Sequence, residues 1–135
     1  MLSNRFIQTA VTFFVVGVAL GMYMGITHDF RFTHVHVHVN LLGWVALAIS
    51  GLIYAVFPHL QQSWLAHGHY WLQTLGVTIF MGGFAWGSAT GNFVLAPVAL
   101  GSTMAAVGVL MFAVNVYTRL RPSRRAASEH HLDQR

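Results

Sequence analysis

The sequence predicts an all-α integral membrane protein, a bundle of four transmembrane helices. Of its 135 residues, 56% are hydrophobic and only 7% are charged, whereas a soluble domain carries about 25% charged residues. Four apolar segments lack Asp, Glu, Lys and Arg, and they cover approximately residues 6–27, 35–57, 66–87 and 94–118. As a helix, each segment is long enough for the roughly 30 Å hydrocarbon core of a bilayer.

The first segment, residues 6–27, is expected to be a helix, because backbone groups in lipid must be bonded within their own segment. It is longer than the apolar region of a signal peptide, which has about 7–15 residues, so we interpret it as a retained span. Gly17, Gly21 and Gly25 recur at every fourth position. That interval favours close helix packing, although glycine is also simply common in membrane helices.

The second segment, residues 35–57, opens with histidines at alternate positions, His34, His36 and His38. If the helix has begun by His34, then His34 and His38 share one face and His36 points elsewhere. If the chain is extended up to His38, all three side chains point the same way. Both geometries remain open from the sequence, and Pro58 is expected to end this helix.

The third segment, residues 66–87, begins with His67 and His69 beside Tyr70 and Trp71, which resembles an interfacial aromatic belt. We expect these two histidines to anchor the interface, with a ligand role as the alternative. The stretch GSATGN, residues 87–92, predicts a turn. It leads into the fourth segment, residues 94–118, and then into a basic tail, residues 119–135.

The charged residues predict the orientation of the chain. The net charge is +4, with basic residues concentrated at the chain ends. Four spans place both termini on one side, and the positive-inside rule makes that side cytoplasmic. We expect the bacterial inner membrane as the location and the lipid bilayer as the surroundings. No nucleic-acid partner is expected, because no basic stripe interleaves with aromatic residues.

Four histidines would then lie near the outer face, and they are the candidate metal ligands: His28, His34, His36 and His38. The chain has no cysteine, and neutral imidazole suits iron, copper and zinc. The predicted cofactor is therefore haem b or copper, with zinc possible. His38 and His36 are the candidate cofactor-binding residues, and His38 is the sharper one because it lies deepest in the apolar segment. Alternatively, these histidines merely tolerate the headgroup layer.

The stretch HVNLLGW, His38 to Trp44, resembles the start of the second helix of haem–copper oxidase subunit I, most closely in the nitric oxide reductase-like branch. The resemblance continues through Gly51, Tyr54 and Pro58, and more loosely through Leu65–Ala66 and Tyr70–Trp71–Leu72. It implies that His38 is an axial haem ligand near the outer face. Arg31 also resembles the family, at a longer spacing from His38. The resemblance implies one four-helix arc of a subunit that contains three.

One arc alone lacks the second-arc histidines and the proton-channel acids of that family, so no catalytic residue is assigned and the single chain is not expected to be an enzyme. A homo-oligomer would supply the missing arcs. A trimer is favoured, and a dimer with two His38 ligands is the alternative. The predicted function is a haem- or metal-binding membrane protein with an electron-transfer partner. A cofactor-free assembly or scaffold subunit and a metal transporter are the alternatives.

Overall fold

The computed structural model describes residues 1–120 and contains four long helices and no strand in that part of the chain. These helices are α1 (Leu2–Thr27), α2 (Phe30–Val56), α3 (Trp64–Thr90) and α4 (Leu95–Arg119). The all-α, four-helix prediction is therefore confirmed. The predicted basic tail, residues 119–135, lies outside the described residues from position 121 onwards.

Short connections join the helices in sequence order. Only His28 and Asp29 separate α1 from α2, and His28 ends α1 in the left-handed conformation with φ 54°. The Ser63 side chain accepts a hydrogen bond from Ala66 N and so caps the start of α3. The predicted turn at residues 87–92 is wrong over residues 87–90, because α3 continues to Thr90 and ends only at Gly91, φ 75°.

The second helix changes its hydrogen-bonding pattern along its length. It is α-helical over Thr33–His38, π-helical over Val39–Val45 and α-helical again over Ala46–Val56. At the end of the π turn, Ala46 N–H donates to the carbonyl of Leu41, five residues back. Because the chain is helical from Thr33, the extended alternative for the alternating histidines is wrong.

Three helices, α1, α2 and α4, are long and apolar enough to cross a membrane, so lipid is the environment of this protein. The remaining helix, α3, is as long, with 27 residues, but its apolar character is diluted by His67, His69 and Gln73. Its exposed Trp64 and Trp86 lie about 33 Å apart along the axis, a spacing that suits aromatic belts at two interfaces. That α3 also spans the bilayer stays a prediction.

The four helices form two hairpins, α1 with α2 and α3 with α4, joined by a buried aromatic cluster. Phe6 of α1 packs with its ring centroid 5.2 Å from Tyr54 of α2 and 4.9 Å from His69 of α3. Phe112 of α4 completes the cluster, 5.8 Å from Tyr54 and 5.0 Å from His69. All four helices therefore contribute a ring to the core near one end of the bundle.

Candidate functional site

His38 is held on the side of α2 that faces α3. Its Nδ1 lies 2.8 Å from the carbonyl oxygen of His34, and because a carbonyl can only accept, Nδ1 carries the hydrogen. Among residues 1–120, Nε2 makes no hydrogen bond. The ring also packs edge-on against Phe80 of α3, with centroids 5.5 Å apart. His38 is therefore oriented at one nitrogen and free at the other, which is the arrangement typical of ligand histidines.

An apolar groove of about 450 Å³ lies between α2, α3 and α4. His38 is next to this groove through Phe80, whose ring it contacts and which lines the groove. Leu42, one helical turn after His38, lines it as well. The volume falls within the range of small-molecule and cofactor sites, about 300–1,000 Å³. The other lining residues are Gln73, Val77, Ser102, Ala105, Ala106, Val109 and Leu110.

His36 points in a different direction, towards α1. Its Nδ1–H donates to the Gly17 carbonyl at 2.9 Å, and its ring lies over Gly21, where an added Cβ would come within 2.8 Å of Cε1. Asn40 donates to the His36 carbonyl at 2.8 Å and covers Gly17. Close packing is therefore confirmed at Gly17 and Gly21 and not at Gly25, which has no neighbour within 4 Å.

The four candidate metal ligands, His28, His34, His36 and His38, do not converge within one chain. His34 stays on the α3 side, with its ring 6.2 Å from that of Phe84, while His36 faces α1 and His28 is exposed in the loop. No group of three His, Asp or Glu side chains among residues 1–120 is arranged to hold a metal ion. The ligand roles of His28, His34, His36 and His38 stay predictions, and His36 cannot join His38 at one ion within this chain.

Arg31 is paired with Asp29 and not with His38. Its Nε lies 2.7 Å from Asp29 Oδ2, and Asp29 Oδ1 accepts a hydrogen bond from the Arg31 backbone N–H at 3.2 Å. The hydrogen bond from the Arg31 side chain lowers the pKa of the Asp29 carboxyl below its ordinary value. The pair stabilises the tight connection between α1 and α2.

The two histidines of α3 differ from each other. His67 is exposed, and its Nδ1–H donates to the Ser63 carbonyl at 3.1 Å. His69 is completely buried, 0% exposed, so the expectation that it anchors the interface is wrong. His69 follows His67 by two positions, and two positions along a helix turn the side-chain direction by about 200°. His67 therefore faces the surface and His69 faces the core. Its role as a ligand stays a prediction.

His69 belongs to a directed chain of hydrogen bonds between α2 and α3. The Gln73 Oε1 accepts from His69 Nε2–H at 2.6 Å, so Nδ1 is the acceptor for the Tyr54 O–H at 3.1 Å. Gln73 Nε2 then donates to the carbonyl of Leu42 in the π turn at 3.1 Å. Both ring nitrogens of His69 are engaged. The amide at the end of the chain has no acidic proton to pass on, so the chain works as a brace and not as a proton path.

Sequence reasoning gave Tyr54 and Gln73 no part in a site. The available signal was the i,i+4 spacing of His69 and Gln73 within an otherwise apolar helix, because polar groups inside a membrane must find partners. Tyr54 carried no comparable signal, since tyrosine is an ordinary interfacial residue. Its hydrogen bond to His69 depends on the packing of α2 against α3.

The fold defines an integral membrane protein built from long helices, and one comparison with known proteins adds to that class. The chain is 28% identical over 89 residues to the cbb3-type cytochrome c oxidase subunit CcoN1 of Stutzerimonas stutzeri. The match covers 57% of this chain and 19% of that subunit, so the chain spans about a fifth of the length of the relative. No protein-family model matches the chain, and no solved structure matches it.

This weak similarity supports a link to the haem–copper oxidases. It agrees with the resemblance of the His38 to Trp44 stretch at the level of the superfamily. The nitric oxide reductase-like branch stays a prediction, because the matched relative is a cytochrome c oxidase subunit.

Proposed function

We propose that this chain is a haem-binding membrane protein related to the haem–copper oxidases, with His38 Nε2 as an axial ligand. The single observation that carries the proposal is the state of the His38 ring. Its Nδ1–H is fixed by the His34 carbonyl, its Nε2 makes no hydrogen bond among residues 1–120, and its ring packs against Phe80, which lines an apolar groove. A haem bound there would supply one-electron or gas-binding chemistry, while the protein sets ligand, burial and access.

Haem fits these residues better than a bare copper or zinc ion does. Zinc sites in proteins use three or four side-chain donors and blue-copper sites use three, and residues 1–120 contain no group of three such side chains. An axial haem ligand needs only one imidazole with a properly oriented second nitrogen. Phe80 and Leu42 line the groove beside His38 and would exclude water from the porphyrin face.

The proposal extends to assembly, topology and partner. A second axial histidine would come from another copy of the chain in a homotrimer, with a dimer as the alternative. Both termini would be cytoplasmic in a bacterial inner membrane, and His38 would lie near the outer face. An electron-transfer partner would then meet the assembly on the outer side, where His34 is exposed.

The test is an absorption spectrum of the protein purified from haem-supplemented cells. We expect a Soret band that shifts on reduction in the wild type and is lost in His38→Ala. The matched control is His67→Ala, because His67 also donates its Nδ1–H to a carbonyl four residues back but lies at the opposite end of the bundle. That variant should keep the band.

Three outcomes would overturn the proposal. A colourless wild-type protein without bound metal would favour the cofactor-free scaffold. A colourless protein with stoichiometric copper or zinc would favour a metal site or a transporter. A Soret band that survives in His38→Ala would place the ligand elsewhere.

A further inference from the structure

We propose that Gln73 is a positioning residue for His38, and that it acts by stabilising the π turn of α2. The importance of His38 in this inference rests on the proposed function. The geometric part, that Gln73 sets the face on which His34 and His38 lie, can be tested without any cofactor. Gln73 does not touch either histidine, and its amide acts through the Leu42 carbonyl.

The π turn determines which way His38 points relative to the rest of α2. In a regular α-helix each residue turns the chain by about 100°, so His38 and Tyr54, sixteen positions apart, would differ by about 160°. A π turn accommodates one extra residue, which lowers the difference to about 60°. His38 and Tyr54 both face α3 in this structure, where they contact Phe80 and His69.

The π turn needs a donor from outside the helix. Ala46 N–H bonds to Leu41 and not to Leu42, so the normal α-helical donor to the Leu42 carbonyl is lost. Gln73 Nε2 supplies the replacement at 3.1 Å. A backbone group left unsatisfied in lipid costs several kcal/mol, and without Gln73 the helix can avoid that cost by reverting to the α pattern.

The Gln73 amide is itself held in place by the brace described above. His69 Nε2–H fixes Oε1 at 2.6 Å, which directs Nε2 towards Leu42. Tyr54 O–H in turn fixes His69. The chain leaves α2 at Tyr54, passes through α3 and returns to α2 at Leu42, so it connects the lower α-helical part directly to the π turn.

The experiment uses thiol crosslinking, because the chain contains no cysteine. Cysteines are placed at His34 and Phe84, whose rings are 6.2 Å apart across α2 and α3, and a short bifunctional thiol reagent is added. This pair is compared in three backgrounds: wild type, Gln73→Leu, and Gln73→Leu with Leu41 deleted. Leu41 lies within the π turn and is 56% exposed, so its removal disturbs little packing.

We expect efficient crosslinking between positions 34 and 84 in the wild-type background. In Gln73→Leu the yield should fall to the background level of proteins that carry only one of the two cysteines, because reversion to the α pattern rotates position 34 by about 100°. Deleting Leu41 removes the extra residue, so a regular helix regains the original direction and the crosslink should return. A residue that stabilised the fold only in general would not be rescued in this way.

The controls separate misfolding and failure of the proposed function from failure of this inference. A second pair, Gly83→Cys with Val98→Cys, reports the α3–α4 hairpin, since a Cβ at Gly83 lies 3.1 Å from Val98 Cγ2, and it should crosslink in every background. An unchanged crosslink at positions 34 and 84 in Gln73→Leu would overturn the inference, and so would a lost crosslink that the deletion fails to restore. If the wild type bound no haem, the proposed function would fail, but the crosslinking of both cysteine pairs would still test this inference.

Discussion

At the residue scale, the histidines are distinguished by what each ring nitrogen contacts. His36, His38 and His67 all donate Nδ1–H to a backbone carbonyl, whereas His69 uses both nitrogens in side-chain hydrogen bonds. The sequence left open whether His36 and His38 point the same way, and the helix that begins before His34 decides that they do not. The sequence could not predict the burial of His69, because that depends on which face of α3 meets Phe6 and Phe112.

The first prediction concerns the Asp29–Arg31 pair and pH. The pKa of Asp29 is lowered in the folded protein by the Arg31 hydrogen bond, so the pair stabilises the fold above the ordinary Asp pKa of about 3.9. That contribution is lost as pH falls through the lower folded value. Asp29→Asn should therefore unfold at a lower temperature than wild type at neutral pH, and the two should converge in acid.

Thermal melts in detergent micelles between neutral and strongly acidic pH would measure this difference, and an NMR titration of the carboxyl would report its pKa directly. Arg31→Gln is the matched control, because it keeps a hydrogen-bonding side chain and removes the charge. In that variant the Asp29 pKa should rise towards its ordinary value. A melting difference that does not change with pH would contradict the role assigned to the ion pair.

At the scale of the element, hydropathy predicted the four helices to within a few residues and could not predict their irregularities. The π turn of Val39–Val45 depends on a donor from another helix, Gln73, and no property of residues 39–45 alone encodes it. In the same way, α3 ends at Gly91, where the backbone is left-handed. The stretch GSATGN contains several residues that suit a turn equally well, so the sequence does not indicate at which of them the helix ends. Local composition predicts that a helix exists, and tertiary contacts decide how it bends and where it stops.

The second prediction concerns the approach of α3 to α4. A Cβ at Gly76 would lie 2.5 Å from the backbone nitrogen of Ala105 and 2.8 Å from the carbonyl oxygen of Gly101. Backbone atoms cannot move aside as a flexible side chain can, so Gly76→Ala should separate the helices and destabilise the protein by about 1–3 kcal/mol. A denaturant titration in mixed micelles, followed by circular dichroism, would measure the change.

Gly82→Ala on the same helix is the control, because nothing lies within 4 Å of a Cβ there. Replacing glycine by alanine in an open helical position favours the helix by up to about 1 kcal/mol. Gly82→Ala should therefore match or exceed the wild type in stability. Equal losses in the two variants would show that α3 and α4 do not pack closely at Gly76.

At the scale of the whole molecule, two hairpins share one aromatic core at one end, and α2, α3 and α4 form a groove that Phe80 and Leu42 help to line. Sequence composition predicted the lipid environment, because charged residues make up only 7% of the chain. It could not indicate which outer faces meet another protein, since lipid and a partner helix are equally apolar. Exposed Val15, Leu52 and Leu110 are compatible with either neighbour, so the assembly must be argued from the cofactor.

The third prediction is that the proposed haem stabilises an oligomer. In the proposed function each chain supplies one axial ligand, His38, while the low-spin haem of the family that the sequence resembles takes histidines from two arcs. The second ligand would then come from another copy. If haem binds only to the assembled state, it stabilises that state by mass action.

Native mass spectrometry from detergent should show three chains, with two chains as the alternative. The oligomer should resist dilution better with haem than without it. His38→Ala should abolish that difference and keep the helical circular dichroism signal. A wild-type chain that binds one haem as a monomer would contradict the shared site.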